Sequence, residues 1–101
     1  MTDNQLQRCL QSIGKGCFIK YYSSFANLKL SVEDIVDVLK YNESYDERAS
    51  KVRVNSARRV FKEKRSLDAL AIIVESKRLD KWIVLAASKL IVNSGNIDGR
   101  L

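Results

Sequence analysis

The sequence predicts an all-α fold, a compact bundle of about five helices, and three observations predict it. Proline is absent, and the four glycines, Gly14, Gly16, Gly95 and Gly99, leave residues 17–94 free of both common helix breakers. Apolar side chains recur in steps of three and four along most of the chain, and nothing alternates with period two over a useful length. Serine, threonine and aspartate stand at capping offsets before several of these stripes. With 101 residues, one core is the economical arrangement. Residues 1–92 are read as a single helical domain, and the polar, glycine-bearing residues 93–101 as a flexible C-terminal tail.

The first element opens at Thr2, which with Gln5 forms a capping box. Leu6, Cys9, Leu10, Ile13, Cys17, Phe18, Tyr21, Tyr22 and Phe25 then line one side of a helix. Its weak point is Gly14-Lys15-Gly16, because each glycine costs about 1 kcal/mol in a helix interior. A bend there, or a pair of helices, fits equally well. A phosphate loop does not: the full spacing is missing, and no hydroxyl follows the lysine directly. Close helix packing across bare glycine backbone is expected instead.

Ser31, with Asp34 as its partner, opens the next helix over Val32, Ile35, Val36 and Leu39, ending near Asn42. Glu33, Asp34 and Asp37 occupy its early turns, where the helix dipole favours acids. Ser44 and Glu47 suggest a further capping box, and Tyr45, Ala49, Val52, Ser56 and Val60 give one helix over residues 45–64. Ser66 is expected to cap "LDALAIIVESK", with Leu67, Leu70, Ala71, Ile73 and Val74 largely inside. Asp80 is expected to cap "KWIVLAASKLIV", whose packing stripe reads Trp82, Leu85, Ala86 and Leu90 and whose stop is Gly95.

Charge is unevenly placed. Residues 1–50 carry six basic and seven acidic side chains, whereas residues 51–101 carry twelve and five. The stretch "KVRVNSARRVFKEKR", residues 51–65, holds seven bases and one acid, Glu63. At about 100° per residue, Lys51, Arg58, Lys62 and Arg65 fall within a band of about 60°, flanked by Arg48 and Arg59. Arg58 and Lys62 are like charges four apart, a spacing that subtracts stability unless an anion relieves it. Nucleic-acid phosphates are the commonest such anion, and the guanidinium fork suits them. The opposing reading is neutralisation by Glu33, Asp34 and Asp37 within the fold or across a dimer.

A second parse splits residues 45–65 into a short helix, an "RVN" turn and a helix capped by Ser56 that presents Asn55, Arg58, Arg59 and Lys62 to a major groove. It resembles helix-turn-helix proteins over about twenty residues, generically, with arginine where the turn usually has glycine. The unbroken helix is preferred.

The chain has no histidine, and its two cysteines cannot close a zinc site, so an enzyme or a metal protein is not expected and no cofactor is called for. Cys9 and Cys17 would lie about 12 Å apart along a shared helix and cannot pair, which suits the reducing cytoplasm. No apolar run is long enough to cross a bilayer, and no export signal opens the chain. The expected function is nucleic-acid binding, DNA rather than RNA, by a small regulatory or accessory protein. Arg58, Arg59 and Lys62 are central, and Arg48, Lys51, Arg53, Asn55 and Arg65 give further contacts. The alternative is a protein-interaction module or homodimeric adaptor whose basic helix docks on an acidic partner, with Tyr21, Tyr22 and Phe25 as aromatic anchors if they are exposed. Phe61 is expected in the core before it is expected to stack on a base.

Overall fold

Two helices begin where their capping boxes predict. In the computed structural model, which describes residues 1–99 and side chains to residue 93, α1 spans Asp3–Ile13. The Thr2 hydroxyl accepts from the Gln5 amide at 3.2 Å, and the Gln5 side chain accepts from the Thr2 amide at 2.9 Å. Likewise α4 spans Val32–Glu43 behind Ser31 and Asp34, whose reciprocal bonds are 3.1 and 3.4 Å long.

The first predicted helix is three. Gly14 adopts φ +85°, which ends α1, and a second break at Tyr21 separates α2 (Lys15–Lys20) from α3 (Tyr22–Ala26). With α5 (Glu47–Lys62), α6 (Ser66–Glu75) and α7 (Lys81–Gly99), the described residues form seven helices rather than about five. The two glycines are explained by proximity. A Cβ on Gly14 would lie 3.0 Å from Arg53 Nη1, and one on Gly16 would lie 3.3 Å from Ile83 Cδ1, where α2 meets α7.

Ser44 does not open α5. It takes the left-handed conformation, φ 60°, that closes α4, and Asp46 caps instead, its carboxylate accepting from the Ala49 amide at 2.7 Å. From there α5 runs unbroken to Lys62, so the helix-turn-helix parse with a turn at residues 53–55 is not formed.

The inward arc of α5 is also turned from the predicted one. Ser50, Val54, Ala57, Arg58 and Val60 are buried, while Val52 is 48% exposed. By ideal helical geometry this is a rotation of about 125°. The cause is position: α5 packs against α1, α4, α3 and α6, so its buried arc is broad, and it includes two polar residues that an apolar stripe cannot register.

The last two helices differ in similar ways. Ser66 is the first residue of α6, not its cap; Arg65 holds the cap position without a side-chain bond. Ala69, Leu70 and Ile73 are buried there, whereas Leu67 and Ala71 are exposed. The Asp80 carbonyl accepts from the Ile83 and Val84 amides at the start of α7. Ile83 and Ala87 face the core, while Trp82 and Leu85 of the predicted stripe are 52% and 62% exposed. The helix passes Gly95 and reaches Gly99; residues 100–101 of the predicted tail lie outside the described residues.

One cluster of buried side chains joins these elements, from Leu6 on α1 to Ala87 on α7. α5 lies between α1 and α4, and α6 bridges α1 and α7. An aromatic group closes the core: Phe18 stacks on Phe25 and Phe61, with centroids 6.3 and 5.7 Å away, and Tyr22 meets Phe18 and Phe61 edge-on. Tyr21 and Phe25 are buried, so these aromatics are core rather than exposed anchors, and Phe61 is half-buried beneath them.

Candidate nucleic-acid interface

Three of the basic side chains singled out in the sequence turn inward. Arg58 is only 7% exposed; its Nη2 donates to the Asn27 carbonyl at 3.0 Å and to the Leu30 carbonyl, clamping the connection between α3 and α4. Arg53 donates to the carbonyl of Ile13, the last residue of α1, and its guanidinium lies 4.1 Å from the centre of the Tyr45 ring. A cation there complements the negative end of the α1 dipole. Arg65 reaches Asp68, Asp3 and the Met1 carbonyl, each at 2.6 Å, and so ties the start of the chain to the α5–α6 junction. The band of Lys51, Arg58, Lys62 and Arg65 is therefore not one solvated face. Two of its four members hold the fold together.

What remains outside is a different strip of the same helix. Arg48, Lys51, Asn55, Arg59 and Lys62 are all exposed. On ideal geometry they occupy an arc of about 80° and a length of about 21 Å. Two acids touch it, both on α5 or its end: Glu47 lies 3.9 Å from Lys51, and Glu63 lies 2.9 Å from Arg59. Glu63 also pairs with the Met1 amino group at 2.9 Å. Hydrogen bonds from that amino group and from Arg59 hold the Glu63 carboxyl below its usual range and raise the Arg59 guanidinium. Among the described residues, Arg48 and Lys62 have no carboxylate within ion-pairing distance.

Arg8, which the sequence reading missed, extends this strip onto α1. It is exposed, and with Gln5, Ser12, Ser56 and Arg59 it lines a shallow groove along the α1–α5 seam. A second shallow groove continues the seam past Arg48 and Val52, with Asp46 at its edge. The signal for Arg8 was available in the helical period: it lies outside the buried stripe of Leu6, Cys9, Leu10 and Ile13. The net negative charge of the first fifty residues hid it.

Chemically the seam offers guanidinium and ammonium donors beside hydroxyl and amide groups, a set suited to oxyanions. Among the described residues no group of three or more Cys, Asp or Glu comes together as a metal site. No described helix is long and apolar enough to cross a membrane. Cys9 is buried, and burial raises the Cys17 thiol above its ordinary range, which disfavours the reactive thiolate. Comparison with protein-family models, with curated proteins and with solved structures returns no match.

Proposed function

We propose that this chain is a small non-enzymatic protein that binds nucleic acid, DNA ahead of RNA, through phosphate contacts along the α1–α5 seam. One observation carries the proposal: four exposed bases on one face of α5, continued by Arg8 on α1, with exposed acids only at the edges of the strip. Like charges at helical spacing repel, and a line of phosphates relieves that repulsion. Arg48, Arg59, Lys62 and Arg8 are the phosphate-binding groups, and Lys51 and Asn55 add further contacts. Arg58, Arg53 and Arg65 serve by holding α5 and its neighbours in place. The absence of histidine fits binding without catalysis, and a buried free cysteine fits the cytoplasm.

The test is a fluorescence-anisotropy titration of a labelled duplex and a labelled single strand at several salt concentrations. Binding to duplex is expected to weaken steeply with salt. An Arg48→Glu, Lys62→Glu variant, altered only at exposed positions, is expected to bind at least tenfold more weakly, with a salt slope reduced by about two. Absence of binding at low salt, or affinity untouched by the double reversal, overturns the proposal.

A further inference from the structure

The exposed face of α7 is apolar where a surface helix is normally polar. Trp82, Leu85 and Val92 are 52%, 62% and 56% exposed, and they alternate with exposed Lys81 and Lys89. On ideal geometry these five side chains share an arc of about 100° and run for roughly 16.5 Å. Lys77 and Arg78 add exposed positive charge just before the helix, against Glu75 and Asp80. Among the described residues Lys81 and Lys89 make no ion pair.

A face of opposite character stands on α4. Glu33, Asp34 and Asp37 are exposed there beside Val38 and Tyr41, the latter 89% exposed. Asp34 is engaged in its capping box, while Glu33 and Asp37 have no cationic partner among the described residues. This strip runs about 12 Å from Glu33 to Tyr41, about three-quarters of the length of the α7 strip. The two do not cover each other within one chain, because both are open to solvent and α4 packs on α5 while α7 packs on α6 and α2.

We infer that the α7 strip of one copy docks on the α4 strip of another. Trp82 and Leu85 lie against Val38 and Tyr41, and Lys81 and Lys89 meet Glu33 and Asp37 at the rim. Aromatic anchors at the centre with charges outside are the usual anatomy of such contacts. Because each copy carries both strips, a twofold dimer lets the α7 strip of each copy sit on the α4 strip of the other, whereas a single contact leaves one strip of each kind free to continue head-to-tail.

Sedimentation velocity on nucleic-acid-free protein over a rising concentration series tests this, with Trp82, the sole tryptophan, as a second readout. The expected result is a weight-average mass that climbs to the dimer or beyond while the Trp82 emission shifts to the blue. A Lys81→Glu, Lys89→Glu variant and a Glu33→Lys, Asp37→Lys variant each remain monomeric alone. Their equimolar mixture associates again, since the reversed faces complement one another. All four positions are exposed, so circular dichroism should match the unmodified chain, with a small fall in urea midpoint for the Glu33→Lys, Asp37→Lys variant, whose acids lie at the end of α4 that favours negative charge. Arg48→Glu, Lys62→Glu leaves the association unchanged, which separates this inference from the phosphate-binding proposal. A mass that stays monomeric, association that survives both reversals, or a mixture that stays monomeric each overturns it. So does capture of the α7 strip by acidic peptides or anionic vesicles in a chain that remains monomeric.

Discussion

Arg58 shows how a charged side chain can serve the interior. Its fork satisfies carbonyls of Asn27 and Leu30 in a connection where no helix supplies donors, and its stem lies under cover of α4 and α5. The Nε remains without a partner, as does the hydroxyl of buried Ser50. Truncation by Arg58→Ala strands the Leu30 carbonyl, while the Asn27 carbonyl still accepts from the Leu30 amide, so a loss of about 1–3 kcal/mol is expected in urea unfolding. Arg58→Lys should recover only part of it, because both bonds come from the terminal Nη2, which the shorter lysine stem does not reach. Charge reversal at this position reports on folding before it reports on any ligand, which is why Arg48 and Lys62 carry the binding test.

At the scale of elements, starts were more legible than faces. The boxes at Thr2 and Ser31 act over three residues, and the sequence contains everything they need. Ser44 met the same pattern and failed, because the preceding helix ends in the left-handed turn that Ser44 itself supplies. Helical phase is a tertiary property. On α7 Ile83 and the small Ala87 face inward, whereas Trp82 and Leu85, the latter an isomer of isoleucine, do not, so side-chain size and hydrophobicity alone do not set the phase. The phase is measurable. Ile83→Ala is expected to cost about 2–4 kcal/mol, whereas Leu85→Ala in dilute monomer should stay within about 0.5 kcal/mol. The candidate site was legible to the same degree. Arg48, Arg59 and Lys62 were found by counting charge on α5, but which arginines point outward depends on α1, α3 and α4.

Across the whole molecule, carboxylates fasten elements that lie far apart in sequence. Glu43 at the end of α4 accepts from Lys20 and from the Tyr21 hydroxyl, both at 2.5 Å, which joins α4 to the α2–α3 junction. The hydrogen bond from Lys20, then that from Tyr21, holds the Glu43 carboxyl below its ordinary range. Glu63 is held low in the same direction by the Met1 amino group and Arg59. With folded values below unfolded ones, these groups contribute stability above the unfolded carboxyl pKa and lose it as pH falls through the folded values. Urea midpoints are thus expected to stay level from neutral pH to the ordinary carboxylate range and then drop. Glu43→Gln should lower the neutral plateau and flatten part of that drop.

The inward turn of Arg53, Arg58 and Arg65 has a further consequence for how this chain tolerates change. In a saturation library selected for folding alone, with no ligand present, these three positions would sort with Phe18 and Leu39, rejecting lysine nearly as firmly as glutamate. Arg48, Arg59 and Lys62 would accept most substitutions under the same selection. The chain's arginines thus divide into two classes by mutational tolerance, and any selection that restricts the second class acts on something other than folding.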